Sequence, residues 1–524
     1  MDVEKRHGLL HIFFFPFMAE GHSIPLIDTA KLFASRGLKV SIITTPVNAP
    51  LLSKSIERNR LLGHKIDVLV IQFPCVEAGL PEGCERLDLT TSPEMGLNFF
   101  MATTLLAHPL EDLLKEYRPN CLIADSFFPW SSQVASKFGI PRIVFAATCF
   151  FSLCAAQCLR LYQPYKRVSS DSDPFIIPNF PGEIKLTRNQ LPDFVKEEIV
   201  FSNFYREVKE AELKSFGVLV NSFYELEPTY ADYYRNVLGA KTWHIGPISL
   251  WNTNIEDKAK RGKESSMDKN KCLQWLDSKE PNSVVYICFG SLANFPASQL
   301  LEIAMALEDS GQQFIWAVRE NKNNEVWLPE GFEERMKGKG LIIRGWAPQV
   351  LILEHEAVGG FVTHCGWNST LEAISAGVPM VTWPLYAEQF YNEKLVTQVL
   401  RIGVAVGVQQ WARIVGDSVK KEAIKKAMTH LMASEETKEM RCRAKSLAEM
   451  ASKATEEGGG LEKNRVMHFK GTLRVDAAAE IQERRNTAPK ISRKNQSPSL
   501  QWLFFLLISC TAHKSHGSYG RKTN

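Results

Sequence analysis

Short apolar runs recur along this chain, separated by stretches with helical spacing. Residues 12–15 are the first run, 25–35 carry the helical spacing, and 39–45 alternate like a strand; further runs follow at 68–73, 122–124 and 143–147. Strand and helix patterns in alternation predict a parallel sheet with helices on both faces. A charged and polar stretch at about 252–270 interrupts the pattern, which then restarts at 284–289, 298–308 (helical), 314–318, 341–344, 360–363 and 380–383. The simplest reading is two doubly wound α/β domains facing a cleft, at 1–247 and 271–460, with 248–270 as the linker. Residues 435–457 read as a charged amphipathic helix with the glycines at 458–460 as its C-cap. Residues 461–524 show no such periodicity and are expected to be a disordered tail.

Length and composition fit this picture. A chain of 524 residues exceeds one ordinary domain. Hydrophobic content of 45% and charged content of 23% are those of a soluble globular protein. Eleven cysteines without a CxxC pair favour a reducing compartment, and a cytoplasmic protein is expected. The net charge of +4 resides in the tail, where twelve Lys and Arg face four Asp and Glu. The body carries 50 basic against 54 acidic residues and gives no compositional case for nucleic acid. The apolar run at 9–18 follows three basic residues, as in a signal peptide. His11 and Pro16 interrupt it, however, and it flows into a helical pattern, so a buried first strand is the better reading. The run at 503–508 is far shorter than the ~20 residues of a membrane span.

In open α/β sheets, ligands gather beyond the carboxyl ends of the strands. Residues 18–23 follow the first strand and put His22 at that edge, while Asp125 ends the run at 122–124. A histidine within reach of an aspartate is an oriented base whose protonated form is supported. Phe127, Phe128 and Trp130 follow Asp125; Thr148, Phe150 and Phe151 follow the next strand. Aromatics at a cleft edge would suit a flat apolar molecule, with Phe127, Phe128 and Thr148 the candidates for contact. Later in the chain, GGFVTHCGWNSTLEAISAG runs an apolar strand through a turn into a helix opened by Asn368, Ser369 and Thr370. Such a helix start leaves N–H groups free for a phosphate. His364 stands before the turn as a further donor, and Glu372 lies where a carboxylate could accept from ribose hydroxyls. Glu388 and Gln389 suit sugar hydroxyls. Asp171, Ser172 and Asp173 form a DxD, but in a turn-rich polar loop with no preceding strand, so a metal site is not expected there. There is no GxGxxG after a strand, which argues against a dinucleotide-dependent oxidoreductase.

Residues 346–389, WAPQVLILEHEAVGGFVTHCGWNSTLEAISAGVPMVTWPLYAEQ, resemble the plant secondary-product glycosyltransferase signature over its whole span without a gap. FPFMAEGHSIP, FPCVEAGLPEGCE, CLIADSFFPW and VVYICFGS precede it in the order seen in the plant family 1 UDP-glycosyltransferases, and the resemblance covers residues 8–460. It implies the two-domain GT-B fold and an inverting glucosyl transfer from UDP-glucose to a hydroxyl of a flavonoid, coumarin, triterpenoid or similar metabolite. On that resemblance His22 is the general base and Asp125 its partner. Trp346 stacks on uracil with Ala347 beside it, Gln349 touches the ribose region and Glu372 binds the ribose hydroxyls. Ser291, His364, Asn368 and Ser369 hold the diphosphate, while Trp367, Glu388 and Gln389 read the hexose; Gln389 favours glucose where a histidine is associated with galactose. UDP-glucose is then a co-substrate, no metal or other cofactor is implied, and the expected state is a monomer without nucleic-acid partners or stable membrane insertion. The resemblance ends around Gly460. In the family a final helix crosses back onto the N-terminal domain there, so an inactive or non-catalytic product is the alternative reading.

Overall fold

The computed structural model describes residues 9–259, 261–263, 265–319, 327–412 and 418–456. Fifteen strands are assigned among them. In chain order they are β1 (His11–Phe15), β2 (Lys39–Thr44), β3 (Ile66–Val70), β4 (Cys121–Asp125), β5 (Arg142–Ala146), β6 (Phe175–Ile176), β7 (Lys185–Leu186), β8 (Gly217–Val220), β9 (Thr242–His244), β10 (Val284–Cys288), β11 (Gln313–Val318), β12 (Gly340–Arg344), β13 (Val358–Thr363), β14 (Met380–Thr382) and β15 (Gly403–Ala405). β1 is HIFFF, buried at every position, so a run with no polar face becomes an interior strand instead of an amphipathic edge.

Two wholly parallel sheets result, one in order β3-β2-β1-β4-β5-β8-β9 and one in order β12-β11-β10-β13-β14-β15; β6 and β7 form a separate antiparallel pair. In each sheet the strand order reverses once about its first strand. The reversal lies between β1 and β4 in the first sheet and between β10 and β13 in the second. Crevices open at such reversals, because successive connections leave for opposite faces. The fold is thus α/β of the GT-B type, with two Rossmann-like domains.

Several element boundaries differ from the sequence reading. The third strand starts at Ile66, two residues before the expected run, and β8, β9 and β15 are strands of three or four residues that the pattern did not reveal. The first helix is Glu20–Ser35, so His22 lies in its first turn and not in the preceding loop. The stretch expected to be a plain linker carries the short helix Ile255–Ala259.

The last described helix, Glu436–Thr455, packs on helix Trp367–Ala376 and touches the turns Tyr224–Leu226 and Ile248–Trp251 beside the first sheet. Ala444 and Ala451 are fully buried and share one apolar cluster with Tyr230 and Tyr234. The expected glycine cap and the expected tail at 461–524 lie outside the described residues.

Candidate functional site

β1 and β4 are neighbours, so the turn leaving β1 must meet the carboxyl end of β4. His22 Nδ1 stands 2.9 Å from Asp125 Oδ2, with Asp125 fully buried. A carboxylate only accepts, so Nδ1 carries the proton and Nε2 keeps its lone pair. The other carboxylate oxygen accepts the Phe127 N–H at 2.9 Å. The buried guanidinium of Arg142 donates to the Asp125 carbonyl at 3.0 Å, a support invisible in the sequence. Burial pulls the His22 pKa down, but the charge and hydrogen bond of Asp125, with the charge of Glu388 behind them, lift it above its usual 6.5.

Aromatic rings wall this dyad. Phe127 lies 4.9 Å from the His22 ring and Phe17 lies 5.4 Å from it. Phe100 stacks on Phe17 and sits edge-on to Phe127, while Phe201 and Phe204 close on Phe100 at 4.8 and 5.4 Å. Sequence reading missed Phe100, Phe201 and Phe204, which come from two separate helices. It also placed Phe128 wrongly: that ring is fully buried, stacked on Phe15 at 4.3 Å, because the chain turns inward after Phe127. Thr148 is half-buried, and its hydroxyl is buried without a partner.

In the second sheet the same topology brings together the loops after β10 and β13. They carry half-buried Ser291 and buried His364. The His364 ring lies against Gly290 and Gly366: a Cβ on Gly290 would fall 2.6 Å from it, and one on Gly366 would overlap it. Burial drives the His364 pKa down to about 4, so the ring is neutral near pH 7, and its buried Nδ1 has no partner. Helix Trp367–Ala376 begins beyond Gly366, with the N–H groups of Trp367, Asn368 and Ser369 left without intrahelical acceptors. An unpartnered ring nitrogen, free N–H groups and glycines that admit a close approach suit an anion.

Further along, Gln349 donates to Ser369 Oγ at 3.0 Å and to Glu372 Oε2 at 2.8 Å. Ala347 is buried and Trp346 half-buried. A segment between the sheets lies across this end. Ser266 exchanges two hydrogen bonds with the Trp346 backbone, and Lys263 sits 5.8 Å from the indole centroid. Arg261 pairs with Glu372 and, at 2.7 Å, with Asp28. The expected ribose carboxylate is therefore already paired.

Two expected hexose readers use their side chains elsewhere. The Trp367 indole is buried, its Nε1 donating to the Asn221 carbonyl at 2.7 Å, so the ring is an anchor between the halves and does not face the cleft. The Gln389 side-chain carbonyl accepts the N–H groups of Leu385 and Tyr386 at 2.9 and 3.0 Å, so its oxygen is used within its own turn. Glu388 feels the charge of His22: burial raises its pKa, against the pull of its own backbone N–H, the His22 charge, Asn392 and Lys209. In the DxD, Asp173 accepts from Ser169 and Ser170 of its own turn and Asp171 pairs with Arg188. Among the described residues no group of three or more His, Cys, Asp and Glu is arranged to hold a metal, and no helix is long and apolar enough to cross a membrane.

Residues 103–443 match the family model described as UDP-glucoronosyl and UDP-glucosyl transferase. The scopoletin glucosyltransferase of Nicotiana tabacum is 60% identical over 454 residues, which are 86% of this chain and 95% of that protein. The UDP-glucose flavonoid 3-O-glucosyltransferase 7 of Fragaria ananassa is 57% identical over 460 residues, 86% of this chain and 93% of its own. Among solved structures, Glycyrrhiza uralensis UGT73P12 complexed with glycyrrhetinic acid 3-O-monoglucuronide superposes with a TM-score of 0.83 at 38% identity, covering 97% of this chain and 100% of that one. Two parallel sheets that each reverse their strand order once, and a family match that spans more than half of the residues, lead to one conclusion: this chain belongs to the UDP-glucoronosyl and UDP-glucosyl transferases, among the plant family 1 secondary-product glucosyltransferases.

Proposed function

We propose that the chain moves glucose from UDP-glucose to a hydroxyl of a small, flat, hydrophobic plant metabolite, in one displacement that inverts the anomeric carbon. The observation that carries this reading is the His22–Asp125 pair at 2.9 Å, set in an aromatic wall on one half of the molecule. The glycine-cradled His364 and a helix N-terminus supply the anion-binding groups on the other. His22 Nε2 takes the acceptor proton while the oxygen attacks opposite the leaving UDP. A phenol near pKa ~10 exceeds a histidine near ~6.5, so the proton moves as the bond forms.

Trp346 offers a face for uracil, Gln349 and Ala347 border the ribose, and Glu372 takes the ribose hydroxyls once Arg261 withdraws. Ser291, His364, Asn368 and Ser369, with the free N–H groups of their helix, stabilise charge on the departing diphosphate, a task that needs no metal. Glu388 and the Gln389 amide read the hexose, with Trp367 contributing its backbone. Phe127 and Thr148 face the acceptor, joined by Phe100, Phe201 and Phe204. The relatives named for scopoletin and for flavonoid 3-O-transfer, and the solved structure holding a triterpenoid glucuronide, support coumarin, flavonoid or triterpenoid hydroxyls as acceptors. We place the acceptor domain at 1–247, the linker at 248–270 and the donor domain at 271–460, and infer a cytoplasmic monomer; the ten described cysteines are free, and one chain supplies every proposed site residue.

The test is a product assay with UDP-glucose against a panel of flavonoids, coumarins and triterpenoids. A β-glucoside is the expected product. A product of retained configuration, or none from any acceptor, defeats the proposal.

A further inference from the structure

Asn392 lies one helical turn beyond Glu388, in helix Gln389–Lys394, and is completely buried. A side-chain amide offers two donor and two acceptor positions, and here all four are used. Its nitrogen donates to the Cys365 carbonyl at 2.8 Å and to Glu388 Oε1 at 3.3 Å. Its oxygen accepts from Ser152 Oγ at 2.7 Å and from Cys149 Sγ at 3.5 Å. These partners belong to three different places. Cys365 is the turn after His364, Glu388 sits at the head of the next loop, and Cys149 and Ser152 open helix Phe150–Tyr162 of the first domain. Both donor-side turns are bent into the left-handed region at non-glycine residues, Cys365 at φ +64° and Ala387 at φ +52°. Such conformations persist only where the surroundings hold them.

We infer that Asn392 is a positioning residue. It fixes the Glu388 carboxylate against the His364 turn and ties that arrangement through Ser152 to the acceptor domain, so that sugar discrimination depends on the docking of the two halves. The inference rests on the proposed role of Glu388 as a reader of the hexose. The geometry is directional: only an amide can donate to the carbonyl and the carboxylate while accepting from the serine hydroxyl. Asn392→Asp keeps the shape and the bond to Ser152, but sets a carboxylate against a carbonyl and the Glu388 carboxylate.

The test is the ratio of kcat/KM for UDP-glucose over UDP-galactose, a ratio that general loosening of the fold does not move. It is measured in full-length Asn392→Ala, Asn392→Asp, Ser152→Ala, Glu388→Ala and the double variant Asn392→Ala with Glu388→Ala. The expected result is a drop of about tenfold for Asn392→Ala and for Asn392→Asp, and of about threefold for Ser152→Ala, the size of one or two hydrogen bonds lost. The double variant should fall no further than Glu388→Ala alone. If Glu388→Ala lowers the ratio but Asn392→Ala and Asn392→Asp do not, or if the two losses multiply, the positioning role is wrong. If Glu388→Ala itself leaves the ratio unchanged, the sugar-reading role of Glu388 fails and takes this inference with it. Should Asn392→Ala not fold, Asn392→Asp and Ser152→Ala decide the matter by the same ratio.

Discussion

Asn368 Nδ2 donates to the Gly21 carbonyl at 2.7 Å, across the boundary between the two domains. That carbonyl is free because of the residue four places on. Position 25 of helix Glu20–Ser35 is proline, which has no N–H to return to Gly21. The residue after Gly21 is His22. A proline in one domain thus leaves an acceptor beside the proposed base, and an amide at the proposed phosphate site of the other domain fills it.

Asn368 has a second N–H to spend on a phosphate. Asn368→Ala should therefore raise KM for UDP-glucose about tenfold and lower stability by about 1 kcal/mol. Asn368→Asp should be worse than Ala on both counts, since a carboxylate would face the Gly21 carbonyl and the diphosphate. Steady-state kinetics and urea melts measure the two effects; an aspartate variant better than the alanine one would refute the assignment.

The His22 pKa is raised above 6.5, and the base works only when its proton is off. Activity should therefore rise with pH through a midpoint above 6.5. Asp125→Asn removes the charge that raises it and leaves the burial that lowers it, so the midpoint should move down while kcat falls roughly 10²–10⁴-fold. His22→Ala should nearly abolish transfer and leave UDP binding intact by calorimetry. A midpoint that does not shift in Asp125→Asn would remove His22 from the acid limb.

Gly366 has an ordinary negative φ of −59°, so alanine there brings no backbone strain. Its methyl group would instead overlap the His364 ring. Gly366→Ala should weaken UDP binding about tenfold or more, with the thermal midpoint changed little. Unaltered UDP affinity would mean that His364 does not touch the nucleotide.

Arg261 holds Glu372, and at the proposed donor site the ribose would have to displace it. Arg261→Gln should lower KM for UDP-glucose several-fold while costing about 2 kcal/mol of stability, because buried Asp28 then keeps, among the described residues, only Lys31 as a cationic partner. A rise in KM would show instead that Arg261 binds the nucleotide.

Trp346→Ala should weaken UDP about ten- to a hundredfold and Trp346→Phe far less, since stacking on a base is worth roughly 1–3 kcal/mol. Equal losses in both variants would point to the indole nitrogen and not to its face.

The layout of two parallel sheets was legible because β1, β4, β5, β10, β11, β13 and β14 are largely apolar runs buried on both faces, while β2 showed by its alternation and half-buried β12 by its apolar core Leu341–Ile343. β9 and β15 were not, since three residues carry no period. His22, Asp125 and His364 could be picked out because they follow or end strands at the sheet reversals, and Glu372 because it lies one turn into the helix that starts at one of them. Arg142, Asn221, Arg261 and Asn392 could not: each does its work on a residue 17 to 240 positions away, and nothing in the neighbouring sequence marks it. Phe128 and Trp367 show the opposite failure. Both stand inside informative segments, yet their side chains turn away from the cleft.

The anchoring of Trp367 in the Asn221 carbonyl bears on how such proteins can be recombined. A donor half grafted from a relative onto this acceptor half brings its own counterpart of Trp367 to the carbonyl of Asn221, a residue held in place by its side chain, which accepts the Ile248 N–H at 3.1 Å. The carbonyl and the indole travel on different halves. A working chimaera therefore requires that its crossover preserve this indole–carbonyl pair, whatever the acceptor or sugar preferences of its parents.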